Sequence, residues 1–178
     1  MPSDKKLDKN ELFSLLKVFD EEASKNICLV AVGGTAMTLL DLKLSTKDID
    51  FTVPSADKPE FDRVRNAVPH GYKIDVWTDG TIFCITLPDD YIDRSIDIIS
   101  YKKIHLKALH PLDIVVSKIA RLDSHDIEDI GVYIKNTISA KKIYKKEQQQ
   151  RSMFLNGKTM NTKLNGFWKT FSHAESSV

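Results

Sequence analysis

The first 32 residues show two patterns of apolar positions in succession. Within 12–19, apolar residues recur every three or four positions, which predicts a helix with one buried face. Asp8 and Glu11 have the spacing of a capping box and mark the start of this helix. The next apolar run, 27–32, is short and continuous, as is typical of a strand buried on both faces. The pattern therefore predicts a helix followed by a central strand.

The rest of the chain continues this alternation of helices and strands. Apolar spacing and turn-forming residues predict further helices over 35–42, 57–68 and 111–122, and further strands over 47–53, 72–77, 81–87, 95–100 and 105–109. The segment after residue 136 has a helical pattern to about residue 150. This order of elements predicts an α+β fold with a helical C-terminal part.

The net charge is +1, but positive residues are concentrated near the end of the chain. Residues 136–178 carry eight Lys or Arg against two Glu, whereas residues 1–135 carry 18 basic and 23 acidic side chains. We therefore predict a folded domain over 1–135 and a basic helical extension over 136–178, packed on or tethered to that domain. A basic tail on an acidic body suits an RNA partner, and the alternative is a solvated, lysine-rich helix.

The composition indicates an ordinary globular domain, with 42% hydrophobic and 29% charged residues. No apolar run approaches the ~20 residues that cross a bilayer, and residues 1–9 lack the apolar core of a secretory signal. Cys28 and Cys84 are isolated in apolar runs, which indicates neither a disulfide framework nor a zinc site. We therefore expect a cytoplasmic protein with no membrane partner.

The residues with the clearest chemistry lie in 30–36 and 45–51. Asp48 and Asp50 are one residue apart in a predicted strand, so their side chains project to the same face. Two neighbouring carboxylates repel each other, and a hard divalent cation with oxygen ligands relieves that repulsion. Gly33 and Gly34 let the backbone approach a ligand, and the N–H groups at the start of the helix at Thr35 favour phosphate. This combination suits phosphoryl transfer, whereas an isolated Asp-x-Asp strand is more often a polar edge.

Together the two segments resemble the DNA polymerase beta-like nucleotidyltransferase superfamily, whose pattern is a Gly-Ser or Gly-Gly turn followed by Asp-x-Asp on the next strand. The similarity is greatest to its small prokaryotic branch that includes the abortive-infection nucleotidyltransferase toxins. Those proteins often read Gly-Gly-Thr-Ala and Asp-Ile-Asp-Phe, as 33–36 and 48–51 do here. The resemblance covers about 30–133 and implies the nucleotidyltransferase fold, a mixed β-sheet flanked by helices.

The family has a third carboxylate on a later strand, beside the first two. Asp75 and Asp97 are both candidates, because each lies in a predicted strand. Asp75 follows Asp50 by 25 residues, a short spacing typical of the compact members, and is therefore preferred. For either residue, the alternative is a polar side chain on the exposed face of a sheet.

The toxin branch also has a late helical motif of a lysine, an arginine and an acidic pair. Lys118, Arg121, Asp126 and Asp129 match this motif in order. The resemblance implies that Lys118 holds a triphosphate as a point charge, with Asp126 and Asp129 positioning it or a hydroxyl nucleophile. The alternative is that all four are solvent-facing residues of an amphipathic helix.

The resemblance implies an enzyme that moves a nucleoside monophosphate from a nucleoside triphosphate to an acceptor, with Mg²⁺ or Mn²⁺ as cofactor. Asp48, Asp50 and Asp75 are the expected catalytic carboxylates and metal ligands, and Lys118 completes the catalytic set. The acceptor is an RNA end, a protein hydroxyl or a small molecule, and a toxin role would add a cognate antitoxin as partner. The alternative is a non-catalytic module that keeps the fold to bind nucleotide, RNA or a partner protein.

Overall fold

The computed structural model describes residues 6–83, 85–121, 126–127 and 129–131. The described residues form an α+β fold, as predicted. Its helices are α1 (Lys9–Glu22), α2 (Gly33–Leu39), α3 (Lys58–Ala67), α4 (Tyr91–Arg94) and α5 (Pro111–Arg121). Its strands are β1 (Ile27–Ala31), β2 (Ile49–Val53), β3 (Ile74–Thr78), β4 (Thr81–Ile82), β5 (Ile85–Thr86), β6 (Ile96–Ser100) and β7 (Ile104–Ala108).

Five of the strands form one mixed sheet in the order β3-β2-β1-β7-β6. The central strand β1 pairs antiparallel with β2 and parallel with β7. Toward one edge, β2 pairs parallel with β3, and toward the other, β7 pairs antiparallel with β6. The predicted mixed β-sheet is therefore confirmed, and it contains β1, β2 and β3.

Helix α1 begins as its sequence predicts. The Glu11 N–H donates to Asp8 Oδ1 at 2.9 Å, and the Asp8 N–H donates to Glu11 Oε2 at 3.1 Å. This reciprocal capping box satisfies two of the N–H groups that a helix N-terminus otherwise leaves without partners. The helix then buries Leu12, Leu16 and Phe19.

The two faces of the sheet differ because side chains alternate along each strand. On β2, Phe51 is buried, and its ring meets Phe61 of α3 edge-to-face at 5.8 Å between centroids. Phe19 of α1 packs against the same Phe61 ring at 6.1 Å, so α1 and α3 build the core on this face. Asp50 precedes Phe51 by one residue and consequently projects from the opposite face.

The segment between β3 and β6 differs from its prediction. The strand expected over 81–87 is interrupted, because Phe83 has a φ of +50° and a left-handed residue cannot continue an extended strand. Two short strands, β4 and β5, therefore replace it. The single turn α4, which lies between β5 and β6, was not expected from the sequence.

The chain divides into two compact units. The first comprises Met1–Ile82 and Leu87–Ile114, and the second comprises Phe83–Thr86 and Val115–Val178. The predicted boundary at residue 135 and the basic extension 136–178 lie outside the described residues, as does Cys84. No helix in the described part of the chain is long and apolar enough to span a membrane.

Candidate active site

Three predicted carboxylates lie at the β2–β3 edge of the sheet. Asp50 and Asp75 are direct partners in the parallel register of β2 and β3, so their side chains project from the same face. Asp48 immediately precedes β2 and is two residues from Asp50. The Asp48 and Asp75 side chains are 50% and 38% exposed, so both carboxylates remain accessible to a ligand. The fold thus brings together the Asp-x-Asp pair and the preferred third carboxylate.

Asp97, the alternative third carboxylate, lies elsewhere in the same sheet. It is on the edge strand β6, and β1 and β7 separate this strand from β2. Its Oδ1 atom is 2.7 Å from the Lys107 ammonium on β7. Because the sheet order separates it from Asp48 and Asp50, Asp97 is not positioned to share a ligand with them.

Two threonine hydroxyls fix the backbone of the Asp-x-Asp segment. The Thr35 and Thr46 hydroxyls both donate to the Asp48 carbonyl, at 3.1 and 2.9 Å. The Thr35 oxygen also accepts the Asp50 N–H at 2.9 Å. The Val32 N–H donates to the Asp50 carbonyl at 3.0 Å. The positions of Asp48 and Asp50 are therefore set by α2 and β1, and do not depend on β2 alone.

The glycine turn is required by the same arrangement. Gly33 has a φ of +54°, a left-handed conformation that favours glycine. A Cβ atom at Gly34 would lie 3.0 Å from the Thr46 hydroxyl, which is one of the two donors to Asp48. Thr35 is fully buried, and its side chain positions Asp48 and Asp50.

Lys73 supplies a positive charge to the carboxylates. Its ammonium is 2.7 Å from Asp75 Oδ2 and 3.9 Å from Asp48 Oδ1. The hydrogen bond to Asp75 and the negative charge of Asp48 raise the pKa of Lys73, and the charge of Asp50 adds to this effect. Lys73 therefore lies as a cation among all three carboxylates.

The four residues of the late helical motif form a separate ion-pair network in the second unit. Lys118 is only 4% exposed. Its ammonium contacts Asp126 at 3.0 Å and Asp129 at 2.7 Å. Arg121 donates to both oxygens of Asp126 at 2.7 Å, and its guanidinium lies 4.5 Å from the centroid of the Phe83 ring. The expectation that Asp126 and Asp129 contact Lys118 fits this geometry. The alternative of a solvent-facing Lys118 is wrong, because burial and ion pairing enclose its ammonium.

The network changes the protonation of Asp126. Burial by itself raises the pKa of this carboxyl, but hydrogen bonds from Arg121 and the charge of Lys118 outweigh it, so the pKa is lowered. Asp126 therefore stays ionised although it is buried.

A family model described as a nucleotidyltransferase of unknown function (DUF6036) matches residues 10–172. The chain belongs to this nucleotidyltransferase family. A search of the curated proteins found no match, and neither did a search of the solved structures.

Members of a nucleotidyltransferase family handle phosphates, and a divalent cation held by carboxylates neutralises phosphate charge. Among the residues that the structure describes, no three His, Cys, Asp or Glu side chains converge as ready-made metal ligands. The predicted three-carboxylate site is therefore not preformed. However, the Lys73 ammonium reaches both Asp48 and Asp75. The carboxylates of Asp48, Asp50 and Asp75 offer the oxygen donors that Mg²⁺ and Mn²⁺ prefer. The residues thus fit a divalent ion that takes the place of the Lys73 ammonium.

Two residues of the candidate site, Lys73 and Thr46, were not predicted from the sequence. Lys73 is two residues before Asp75, just as Asp48 is two residues before Asp50. Once Asp75 had been chosen, this spacing in a strand could have predicted a lysine on the same face. No comparable signal marks Thr46, because its contacts with Gly34 and Asp48 depend on how the loop before β2 folds.

Proposed function

We propose that this member of the nucleotidyltransferase family transfers a nucleoside monophosphate from a nucleoside triphosphate to an acceptor hydroxyl, with Mg²⁺ or Mn²⁺ as cofactor. The observation that carries the proposal is the direct pairing of Asp50 with Asp75, with Asp48 two residues away, on the strand that follows the glycine turn. The proposal includes membership of the DNA polymerase beta-like superfamily, in the branch that contains the abortive-infection toxins.

The three carboxylates have distinct proposed roles. Asp48 and Asp50 hold the divalent ion, which neutralises negative charge on the triphosphate when it is bound. Asp75 lies one strand away and accepts the proton of the acceptor hydroxyl, or completes the ligand set. In the reaction, the acceptor oxygen forms a bond to the α-phosphorus, and the bond from this phosphorus to the bridging oxygen breaks. Pyrophosphate leaves with that bridging oxygen.

The nucleotide-binding residues are proposed at two places in the sequence. At the glycine turn, Gly33 and Gly34 lack side chains, so the backbone can approach a phosphate group closely. In the second unit, the resemblance assigns the triphosphate to Lys118, with Asp126 and Asp129 holding its ammonium in position. Because Lys118 is already paired with both aspartates, it can bind phosphate only by sharing or exchanging one of these partners.

The proposed acceptor rests on the charge of residues 136–178, and the proposed biological role rests on the resemblance. The eight basic residues of 136–178 favour an RNA acceptor, because phosphate contacts are made chiefly by Lys and Arg. A protein hydroxyl and a small molecule are the other acceptors. A toxin role, with a cognate antitoxin as partner, follows from the resemblance alone.

Label transfer tests the proposal directly. The purified chain is incubated with each α-³²P-labelled nucleoside triphosphate, Mg²⁺ or Mn²⁺, and either total RNA or a protein extract. We expect label to enter one pool with one or more nucleotides. We expect at least ~100-fold less label with Asp50→Asn, because charge stabilisation of a phosphoryl-transfer transition state is a large part of catalysis.

Asp97→Asn is the matched control, because it removes an exposed carboxylate from the same sheet at the opposite edge. Transfer that Asp97→Asn preserves and Asp50→Asn abolishes would support the proposed site. Equal transfer by the wild type and by Asp48→Asn/Asp50→Asn would contradict it. Nucleotide binding without transfer to either pool would instead support the non-catalytic module.

A further inference from the structure

Lys73 is held at a fixed point beside the carboxylates. The Ile49 N–H donates to the Lys73 carbonyl at 2.9 Å, so hydrogen bonding between β2 and the β3 segment extends to this residue. Lys73 is two positions before Asp75 and projects from the same face of the sheet. Its stem is flexible and the side chain is 58% exposed, so the ammonium can move although its backbone cannot.

The charges of the cluster favour such movement when a divalent ion arrives. One ammonium serves Asp48 and Asp75 and lies close enough to Asp50 to feel its charge, so the carboxylates outnumber it. An ion held by Asp48 and Asp50, with Asp75 completing its ligand set, would occupy the position of the ammonium and repel it. Lys73 would then lose its carboxylate partners.

We propose that Lys73 is the resident counter-cation of this carboxylate cluster, that it gives way to the divalent ion, and that it then binds a phosphate group of the nucleoside triphosphate. This inference rests on the proposed function. It assigns to Lys73 two successive partners, first the carboxylates of the metal-free protein and then the substrate.

The geometry explains why phosphate is the second partner. A triphosphate that reaches an ion held by Asp48 and Asp50 brings its negative oxygens to the same edge of the sheet. Lys73 is anchored there by its backbone, and its displaced ammonium is the complementary charge. A lysine suits this role because its charge sits at the end of a mobile chain, whereas the buried Lys118 is enclosed by its partners.

The two partners predict opposite effects of one substitution. Lys73→Ala removes a competitor of the ion, so the affinity for Mn²⁺ alone should rise about two- to fivefold, the range expected for one exposed ion pair. The same substitution removes a phosphate contact, so affinity for non-hydrolysable α,β-methylene triphosphates in saturating Mn²⁺ should fall at least about threefold. A lysine that only stabilises the sheet would change neither affinity in this manner.

The experiment measures both affinities by calorimetry, for the full-length wild type and for Lys73→Ala, Lys73→Arg and Lys25→Ala. Lys73→Arg keeps the charge and should restore both affinities toward the wild-type values. Lys25→Ala removes an exposed lysine just before the start of β1, at the end of this strand away from the glycine turn. It should change neither affinity. The circular dichroism spectrum of each metal-free variant checks that it is folded.

The outcomes separate this inference from the proposed function. Opposite shifts in Lys73→Ala, restored by Lys73→Arg, would support the inference. Unchanged Mn²⁺ affinity, or unchanged or raised analogue affinity, would overturn it while leaving the proposed function standing, provided that Asp50→Asn still abolishes Mn²⁺ binding. Absence of Mn²⁺ binding in the wild type, or binding that survives Asp48→Asn/Asp50→Asn, would overturn the proposed function itself.

Discussion

The carboxylate cluster of β2 and β3 and the ion-pair network around Lys118 use the same kinds of side chain in different environments. In the first, acidic groups outnumber the single exposed Lys73. In the second, Lys118 and Arg121 match Asp126 and Asp129, and three of the four side chains are almost fully buried. Exposed charges exchange partners at little cost, whereas buried charges depend on the partners that they have. The first region is therefore suited to ligand exchange, whereas in the second any phosphate that binds Lys118 must disturb a buried ion pair.

The largest effect that distinguishes the two regions is expected from Lys118→Ala. This substitution removes the buried ammonium that pairs with Asp126 and Asp129, so it should lower the free energy of unfolding by about 3 kcal/mol. Urea unfolding measures the change. The matched control is Lys9→Ala, which breaks the exposed ion pair with Asp41 and should cost at most about 0.5 kcal/mol. Equal and small losses in both variants would refute the distinction between the regions.

Acid should weaken the buried network through Asp126. The pKa of the Asp126 carboxyl is lowered in the folded protein. The ionised carboxyl therefore stabilises the fold fully at pH values above the pKa that this carboxyl has in the unfolded chain. That stability is lost as the pH falls through the lowered folded value. We expect the difference in unfolding free energy between the wild type and Asp126→Asn to be constant near neutrality and to narrow below about pH 4. A difference that is independent of pH from 7 to 3 would contradict this assignment.

A smaller effect should follow from removing the hydroxyl that organises the Asp-x-Asp segment. Thr35→Val keeps the shape of the side chain but removes the acceptor of the part-buried Asp50 N–H and a donor to the Asp48 carbonyl, which should cost about 1–2 kcal/mol. It should also weaken Mn²⁺ binding, because Asp48 and Asp50 lose a shared support. Thr35→Ser keeps the hydroxyl and should retain most of both properties. If valine and serine behaved alike, hydrogen bonding by Thr35 would not position the carboxylates.

The sequence predicted those features of the carboxylate region that depend on neighbouring residues. Alternation along a strand predicted that Asp48 and Asp50 share a face, but β2 begins at Ile49 and leaves Asp48 just before the strand. The capping box located the start of α1. The spacing from Asp50 favoured Asp75 over Asp97, but both lie in strands, and only the order of the sheet places Asp75 beside Asp50 and Asp97 at the other edge. The role of the Thr35 side chain was equally hidden, since its partners are 13 and 15 residues away.

The buried network shows a different limit. The amphipathic pattern of α5 suggested a solvent-facing alternative for Lys118, because charged residues on such helices usually contact water. Its burial depends on Asp126 and Asp129, which lie 8 and 11 residues further along the chain. Helical spacing within α5 cannot reveal a charge partner beyond the helix. The resemblance to the toxin branch grouped these residues into one motif. The ion pairs of Lys118 with Asp126 and Asp129 give a physical reason for that grouping.

The smallest change in intrinsic stability is expected from Asp50→Asn, and it tests whether the exposed cluster is built for a ligand. Without metal, the substitution should alter the unfolding free energy by no more than about 0.5 kcal/mol, because relief of repulsion among the carboxylates offsets the lost attraction to Lys73. With metal the variants should diverge, because an ion that binds only the folded state stabilises it by an amount that grows with its concentration relative to Kd. We therefore expect Mg²⁺ or Mn²⁺ to raise the Tm of the wild type and of Asp97→Asn, but to raise that of Asp50→Asn little. The Tm is measured with and without the ion, since only the difference reports binding. A metal-induced shift that persisted in Asp48→Asn/Asp50→Asn would assign the ion to other residues, and the exposed carboxylates would then be an ordinary polar edge.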